Sequence, residues 1–237
     1  MSDPIRLAKR LTELVACSRS EAEQYIAGGF VTVDGVITED PATRVSAEQT
    51  VVLAPEAKLG TLEPVTILLH KPAGMLTDEV ISLITPENQM AGDRSGIHFL
   101  RHHLRHLTLT DRLEDQAAGL LVYTQDRRTV RKLVEEAPRN ECEYIVEVAG
   151  QLDAAGLQRL NHGLRFNNKE LPPMKVSWQN ETRLRFALKT PPRGLIAHMC
   201  EQVGLQIISM KRLRIGRQSM SALPVGQWRY LLGYEKF

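Results

Sequence analysis

The first 53 residues show a helical and then a strand-like pattern of apolar positions. Residues 4–16 carry apolar side chains at the three- and four-residue spacing of a helix that buries one face, namely Ile5, Leu7, Leu11, Leu14 and Val15. Ser18 followed by Glu21 is the signature of a capping box, which predicts the start of a second helix. The glycine pair at 28–29 predicts the end of that helix.

The pattern after the second helix predicts a small sheet. FVTVDGVITED (30–40) has β-branched residues on both sides of Asp34-Gly35, a dipeptide that favours a tight hairpin turn. The apolar stretch VVLAP (51–55) predicts another short strand. Residues 1–54 are therefore predicted to form a compact module of two helices and a small sheet. The polar, Pro- and Gly-containing stretch 55–64 predicts a linker.

Residues 65–237 contain more strand patterns than helical ones. Helices are predicted at 97–106, 129–137 and 153–161, and strands at 65–70, 120–124, 142–150, 183–190, 205–215 and 228–232. Because the strands outnumber the helices and do not alternate with them regularly, we predict an α+β domain. Its sheet should be mixed, mainly antiparallel and flanked by helices.

The composition is that of a folded protein. Hydrophobic residues make up 43% of the chain and charged residues 24%, which gives enough apolar material for a core. No apolar run predicts a membrane span, and the N-terminal residues lack the apolar stretch of a secretion signal. Cys17, Cys142 and Cys200 lie far apart. We therefore expect reduced thiols in a cytoplasm, with no disulfide and no metal site.

The net charge of +2 hides an uneven distribution along the chain. Residues 1–55 carry a net charge of −3, and residues 56–237 carry +5. Four of the five N-terminal cations nevertheless fall within the first 19 residues: Arg6, Lys9, Arg10 and Arg19. These cations predict either a basic face that binds a polyanion or a solvated helix face.

Residues 4–52 resemble the small S-four RNA-binding domain, which is named after a small-subunit ribosomal protein. The segment RLAKRLTELVACSRSEAEQYIAGGFVTVDGV carries this resemblance. Arg6, Lys9 and Arg19 match cationic positions of such domains, whereas Ser20 stands where a second arginine is common. Cations at the ends of two packed helices can position RNA through its phosphates. The resemblance implies RNA contacts from Arg6, Lys9, Arg10 and Arg19.

Residues 66–237 resemble the catalytic domain of bacterial ribosomal-RNA pseudouridine synthases, in the branch that carries an S-four domain in front. Four segments carry the resemblance, in the family's order and spacing: ILLHKPAGMLT (67–77), RLEDQAAGLLVYTQD (112–126), CEYIVEV (142–148) and the run 198–231. The resemblance implies binding to structured, ribosomal RNA by a cytoplasmic protein that needs no cofactor and contacts no membrane. We expect a monomer.

The implied reaction isomerises a uridine in RNA to pseudouridine. The nucleotide must leave the base stack, and a carboxylate must reach the sugar or the base. By resemblance, Glu114 occupies the position of the family's catalytic aspartate, and Arg112 occupies the position of the arginine that helps to expel the base. Tyr144 occupies the position of the aromatic residue that holds the uracil. We further expect RNA contacts from Lys71, Arg193, Arg212 and Arg214.

The sequence departs from the family where the chemistry is expected. A glutamate at position 114 carries its carboxylate about 1 Å farther from the backbone than an aspartate does, and an error of that size can cost on the order of a hundredfold in rate. Ala117 and Ala118 replace hydroxyl residues. The family's basic helix start reads PPRGLIAHM (191–199) here, so an arginine expected to pair with the carboxylate is lost. Arg193 or His198 could replace that charge.

A histidine-rich stretch, GIHFLRHHLRHL (96–107), admits several interpretations. His98, His102 and His106 follow helical spacing, which could place them together for a metal, although no carboxylate or cysteine lies nearby in sequence. An RNA-facing surface is a second interpretation. We favour an ordinary amphipathic helix with a solvated face.

Two functions from different classes remain open. The first is a pseudouridine synthase that uses Glu114, assisted by Arg112 and Tyr144. The second is a non-catalytic RNA-binding protein on the same scaffold, such as an RNA folding or ribosome assembly factor. The departures at the carboxylate and at the helix start distinguish these functions in principle without deciding between them.

Overall fold

The computed structural model describes residues 3–59, 63–162 and 164–237, which form two compact units. One unit comprises the described residues of Met1–Pro64 together with His98–His106. The other comprises Val65–Ile97 and Leu107–Phe237. The segment His98–His106, which the sequence placed in the second domain, thus groups with the first unit. Residues 60–62 of the predicted linker lie outside the described residues.

The smaller unit is built from two helices and short strands around an apolar core. Its elements are β1 (Ile5–Arg6), α1 (Leu7–Leu14), α2 (Arg19–Ala27), β2 (Val31–Val33), β3 (Val36–Ile37), β4 (Arg44–Val45) and β5 (Val51–Leu53). Strand β1 pairs with β4, and β2 lies between β3 and β5. All pairings are antiparallel. Leu7, Leu11, Ala22, Ile26 and Val31 fill the core with no exposed surface.

Local signals predicted the helix cap and the hairpin turn of this unit correctly. The Ser18 side chain accepts a hydrogen bond from the Glu21 N–H, and the Glu21 carboxylate accepts one from the Ser18 N–H. This is the expected capping box. Asp34 and Gly35 have φ values of +51° and +81°, which are typical of the two central residues of a tight hairpin turn.

The prediction of a helix over residues 97–106 is wrong. Only Arg101–Leu104 forms a short 3₁₀ helix, and His106 adopts a left-handed φ of +54°. Side chains compete with helical hydrogen bonds here, because His103 Nδ1 accepts from the Leu100 N–H at 3.2 Å and the Glu39 carboxylate accepts from the Arg101 N–H at 2.7 Å. The histidines are therefore not aligned on one helical face as their spacing suggested.

The larger unit contains the remaining helices and strands. The strands are β6 (Thr66–Lys71), β7 (Thr108–Leu109), β8 (Ala118–Thr124), β9 (Glu141–Ala149), β10 (Arg165–Phe166), β11 (Lys169–Glu170), β12 (Lys175–Trp178), β13 (Arg183–Lys189), β14 (Gln206–Ile215), β15 (Gln218–Ser219) and β16 (Trp228–Tyr230). The helices are α3 (Arg127–Val130), which continues as a π-helical turn over Arg131–Glu135, α4 (Ala154–Asn161) and α5 (Leu195–Glu201). Further 3₁₀ turns occur at Val80–Leu83, Pro86–Asn88 and Ala137–Arg139.

Nine strands of the described chain form one large sheet in this unit. The strand order is β12-β13-β9-β14-β8-β6-β16, with β15 paired to β14 and β7 paired to β8. The β14–β8 pair is parallel, and the other strand pairs are antiparallel. The predicted α+β class with a mixed, mainly antiparallel sheet is confirmed. Every residue of β6 is buried, which places the end of β6 deep in the domain.

No helix within the described parts of the chain is both long and apolar enough to cross a membrane.

Candidate active site

Lys71, the last residue of β6, is completely buried and organises the loop that leads into β8. We call this loop, residues 111–117, the carboxylate loop. The Lys71 Nζ donates hydrogen bonds to the carbonyl oxygens of Pro72, Asp115 and Ala117, at 3.0, 2.7 and 2.8 Å. Burial lowers the pKa of this ammonium group, and the charge of Asp115 acts in the opposite direction. Because Lys71 has no exposed surface, the prediction that it contacts RNA is corrected.

The turn that follows the buried lysine braces the carboxylate loop from a second direction. The Gly74 N–H donates to the Asp115 carbonyl oxygen at 2.8 Å. The Thr77 hydroxyl donates to the Leu113 carbonyl oxygen at 2.5 Å. Residues 71–77 therefore fix the path of the carboxylate loop.

Arg212 lies in the centre of the large sheet, on β14 between β9 and β8. Its Cα is paired with that of Tyr144 on β9 and that of Gly119 on β8. The side chain has no exposed surface. Its Nε donates to the Leu120 carbonyl oxygen at 2.9 Å, and its Nη1 forms an ion pair with the Asp111 carboxylate. A completely buried arginine cannot reach a phosphate, so the prediction that Arg212 contacts RNA is corrected.

Gly119 is required by the close approach of β8 to β14. Its φ is +121°, and a Cβ atom at this position would lie 2.3–2.9 Å from backbone atoms of Arg212. Any other residue would have to push the two strands apart. The glycine thus permits the strand pairing that places Arg212 beneath the carboxylate loop.

Tyr144 extends the cluster around the buried arginine. Its hydroxyl oxygen lies 3.5 Å from Arg212 Nη1. Burial raises the pKa of Tyr144 to about 12, although the positive charge of Arg212 acts against this rise, so the phenol is neutral at physiological pH. Only 4% of the residue is exposed, which leaves little ring surface for stacking a base. The hydroxyl is the part of Tyr144 that faces the charged groups.

Asp111 completes what we call the buried-arginine cluster, namely Asp111, Tyr144 and Arg212. Its side chain is 29% exposed, so this carboxylate is the member of the cluster that meets solvent. One carboxylate oxygen pairs with Arg212, and within the described residues the other oxygen accepts no hydrogen bond. The sequence did not single out Asp111, because it lies three positions before the residue that matches the family motif.

Glu114, the acid that the sequence identified, lies in a different environment. Its Oε1 accepts a hydrogen bond from the N–H of Gly194, which caps α5, at 2.7 Å. No cation of the described chain lies within ion-pair distance of Glu114. Arg193, which was expected to supply the missing charge, lies 3.8 Å from Asp115, and His198 directs Nε2 toward the Arg165 carbonyl oxygen at 2.8 Å.

Two further predicted residues are engaged in ion pairs. Arg112 is about half exposed and pairs with Asp78. Arg214 pairs with Glu141 at 2.6 Å and with Glu143 at 3.1 Å. Because two carboxylates neutralise Arg214, it is a weaker candidate for a phosphate contact than its charge alone suggested.

The smaller unit carries a basic groove at the start of α1. Its lining includes Arg6, Lys9 and Arg19, which the sequence predicted, and Arg44, which it did not. Arg44 and Arg6 are direct partners in the β1–β4 pair. Two like charges opposite each other destabilise a strand pair, and a bound polyanion would relieve their repulsion. Arg10 does not line this groove and instead lies 3.6 Å from Glu13.

Comparisons with known proteins agree with this description. The model of the S4 domain family matches residues 5–51. Dual-specificity RNA pseudouridine synthase RluF of Escherichia coli K12 is 27% identical over 232 residues, which cover 96% of this chain and 75% of that protein. Ribosomal small subunit pseudouridine synthase A of Vibrio cholerae is 25% identical over 234 residues, which cover 96% of each.

The fold has a counterpart among solved structures. A crystal structure of a pseudouridylate synthase superposes with a TM-score of 0.59 at 20% identity and covers 96% of both chains. Residues 5–51 therefore match the S4 domain model, the chain has the fold of a solved pseudouridylate synthase, and it is similar over almost its whole length to RNA pseudouridine synthases.

Proposed function

We propose that the protein isomerises a uridine to pseudouridine in structured ribosomal RNA. The observation that carries the proposal is the buried-arginine cluster, in which a solvent-accessible carboxylate is held by a buried cation in the centre of this fold. A carboxylate fixed by an opposite charge is what the reaction requires against the ribose or the base. The reaction is an isomerisation, so it needs neither an oxidant nor a reductant.

The position of each site residue in the structure suggests its role in the proposed reaction. Arg112 carries an exposed cation at the entrance of the carboxylate loop and would stabilise negative charge on the departing uracil. Tyr144 would act through its hydroxyl beside Arg212. Glu114 is the acid predicted from the sequence, and Asp111 is a second carboxylate within the same loop.

The smaller unit supports the proposal that RNA is the partner. The relatives named above act on RNA according to their names, and one is named for the small ribosomal subunit. We propose ribosomal RNA as the substrate, bound by a monomer in the cytoplasm. The free thiols of Cys17, Cys142 and Cys200 accord with a reducing compartment.

A tritium-release assay tests the proposed reaction. Ribosomal RNA transcribed with uridine tritiated at C5 should release tritium to water when the wild-type protein is added, because forming the C5–C1′ bond expels the hydrogen from C5. The expected yield approaches one tritium per modified site. Absence of release from full-length transcripts of both large ribosomal RNAs, naked and as partly assembled particles, would refute the proposed reaction.

The second candidate is an RNA-binding protein without catalytic activity. The observation that favours it is the hydrogen bond from the Gly194 N–H to Glu114, together with the lack of an ion-pair partner for Glu114 among the described residues. Salt-dependent RNA binding without tritium release would establish this candidate.

The basic groove leads to a prediction about RNA affinity. The double substitution Arg6→Gln and Arg44→Gln should weaken binding to a ribosomal RNA transcript by about tenfold or more near 0.1 M salt, because two phosphate contacts are lost. The slope of log Kd against log salt concentration should fall by about two. Fluorescence anisotropy at several salt concentrations measures both quantities.

Arg10→Gln is the matched comparison, because Arg10 lies in α1, the helix that begins at the groove, but does not line the groove. This substitution should change the slope of log Kd against log salt concentration by less than about 0.5, which is half of the change expected for one phosphate contact. A double variant that kept the wild-type slope would show that RNA does not occupy the groove.

A further inference from the structure

The carboxylate loop contains three acids. Asp115 accepts a hydrogen bond from the Thr77 N–H at 3.4 Å and lies 3.8 Å from the exposed Arg193. The environments of the other two acids, Asp111 and Glu114, differ. Asp111 forms an ion pair with a buried guanidinium group. Glu114 accepts a hydrogen bond from a backbone amide, and no described cation pairs with it. A catalytic carboxylate must stay ionised and point in one direction, so the environment rather than the sequence position should decide which acid reacts.

Asp111 is held by a rigid support. The guanidinium group of Arg212 is fixed from below by the Leu120 carbonyl oxygen, and Arg212 itself belongs to the central strand of the sheet. The Asp111 backbone carbonyl oxygen is also 3.5 Å from Arg212 Nη2. Both the side chain and the backbone of Asp111 are therefore tied to the same arginine, which leaves one carboxylate oxygen facing solvent.

Glu114 has a different structural role. The hydrogen bond from the Gly194 N–H connects the carboxylate loop to the start of α5. Gly194 has a φ of +80°, so its backbone conformation is one that glycine adopts readily. With one oxygen engaged by this amide, Glu114 acts as a tether between the loop and the helix.

We propose that Asp111, and not Glu114, is the carboxylate that reacts with the substrate. This assignment rests on the proposed function, since it names the acid of the same reaction. Asp111 lies against the flipped nucleotide while the N1–C1′ bond breaks and its electron pair passes to the uracil. After the base turns, C5 bonds to C1′, the Asp111 carboxylate accepts the proton that C5 loses, and N1 gains a proton from water. Asp111 then returns its proton to water. The atoms and electrons balance without a further reactant.

Three single variants test the assignment in the tritium-release assay. Asp111→Asn should reduce the rate of release by at least about a thousandfold while RNA affinity stays within about threefold. Glu114→Gln keeps an amide oxygen that can accept the Gly194 hydrogen bond, and it should stay within about tenfold of the wild-type rate. Glu114→Asp, which restores the shorter acid at position 114, should not raise the rate.

The outcomes separate this assignment from the proposed function. If the wild-type protein releases tritium and Asp111→Asn does so at a comparable rate, the assignment is overturned and the proposed function stands. The assignment is also overturned if Glu114→Gln is inactive while it binds RNA normally, or if Glu114→Asp is faster than the wild type. Should the wild-type protein itself release no tritium, the proposed function fails and the assignment falls with it.

Asp111→Glu is the control for the case in which Asp111→Asn loses activity because it misfolds. It keeps the charge that pairs with Arg212, so it should melt close to the wild type while the reacting carboxylate is displaced by about 1 Å. A loss of about a hundredfold in rate with unchanged RNA affinity supports the assignment, and an unchanged rate contradicts it.

Discussion

Replacing Lys71 by methionine is expected to lower the free energy of unfolding of the larger unit by about 3 kcal/mol or more. Methionine is similar in length, so it leaves little cavity. It cannot donate the three hydrogen bonds that Lys71 Nζ makes to carbonyl oxygens in and beside the carboxylate loop. Charge-assisted hydrogen bonds contribute about 1.5–3 kcal/mol each, and this sum is partly offset because the ammonium no longer has to be desolvated.

Urea denaturation followed by tryptophan fluorescence measures this loss, since Trp178 and Trp228 both lie in the larger unit. Lys175→Met is the matched control, because Lys175 is exposed on β12 and should change the stability by less than about 0.5 kcal/mol. If Lys71→Met were as stable as this control, the three carbonyl oxygens would have other donors, and Lys71 would not be what positions the loop.

Arg212→Met should lower the free energy of unfolding of the larger unit by about 3–5 kcal/mol, at least as much as Lys71→Met does. The substitution removes the cation that pairs with Asp111 and also the Nε hydrogen bond to the Leu120 carbonyl oxygen. The buried Leu120 carbonyl oxygen is then left without this donor, and the Asp111 carboxylate, which is 29% exposed, loses its counter-ion. RNA affinity should change little, since Arg212 has no exposed surface.

Arg185→Met provides the matched control for this variant. Arg185 also pairs with a carboxylate on a neighbouring strand of the same sheet, that of Glu143 at 2.7 Å, but about half of its side chain is exposed. Exposed ion pairs contribute about 0–1 kcal/mol, so the control should lie in that range. Equal losses in the two variants would mean that the burial of Arg212 confers no special stability on the cluster.

Both variants test whether buried cations position the acids of the candidate active site. Lys71 sets the path of the carboxylate loop through backbone carbonyl groups, whereas Arg212 sets the direction of one carboxylate. Both residues match motif positions for which the sequence suggested RNA contacts. Because both residues are buried, we infer that they support the candidate site and do not contact RNA.

The sequence alone determined the elements whose hydrogen bonds close within a few residues. The capping box at Ser18 and Glu21 and the tight turn at Asp34-Gly35 were predicted because each depends on neighbouring residues. Extended motif matches also predicted the fold class. The failure at 97–106 marks the limit, since contacts from Glu39 and His103 replaced the helical hydrogen bonds that the apolar spacing suggested.

Only the tertiary structure decided which charged residues share a site. Asp111 and Arg212 are 101 residues apart in the chain, and Arg44 meets Arg6 through a strand pair that no local pattern encodes. Along β14 every charged side chain looks equivalent in sequence, whereas packing between β9 and β8 buries Arg212 completely and leaves Arg214 partly exposed. The physical reason is that burial and electrostatic pairing depend on distances across strands, and these distances are set when the whole sheet assembles.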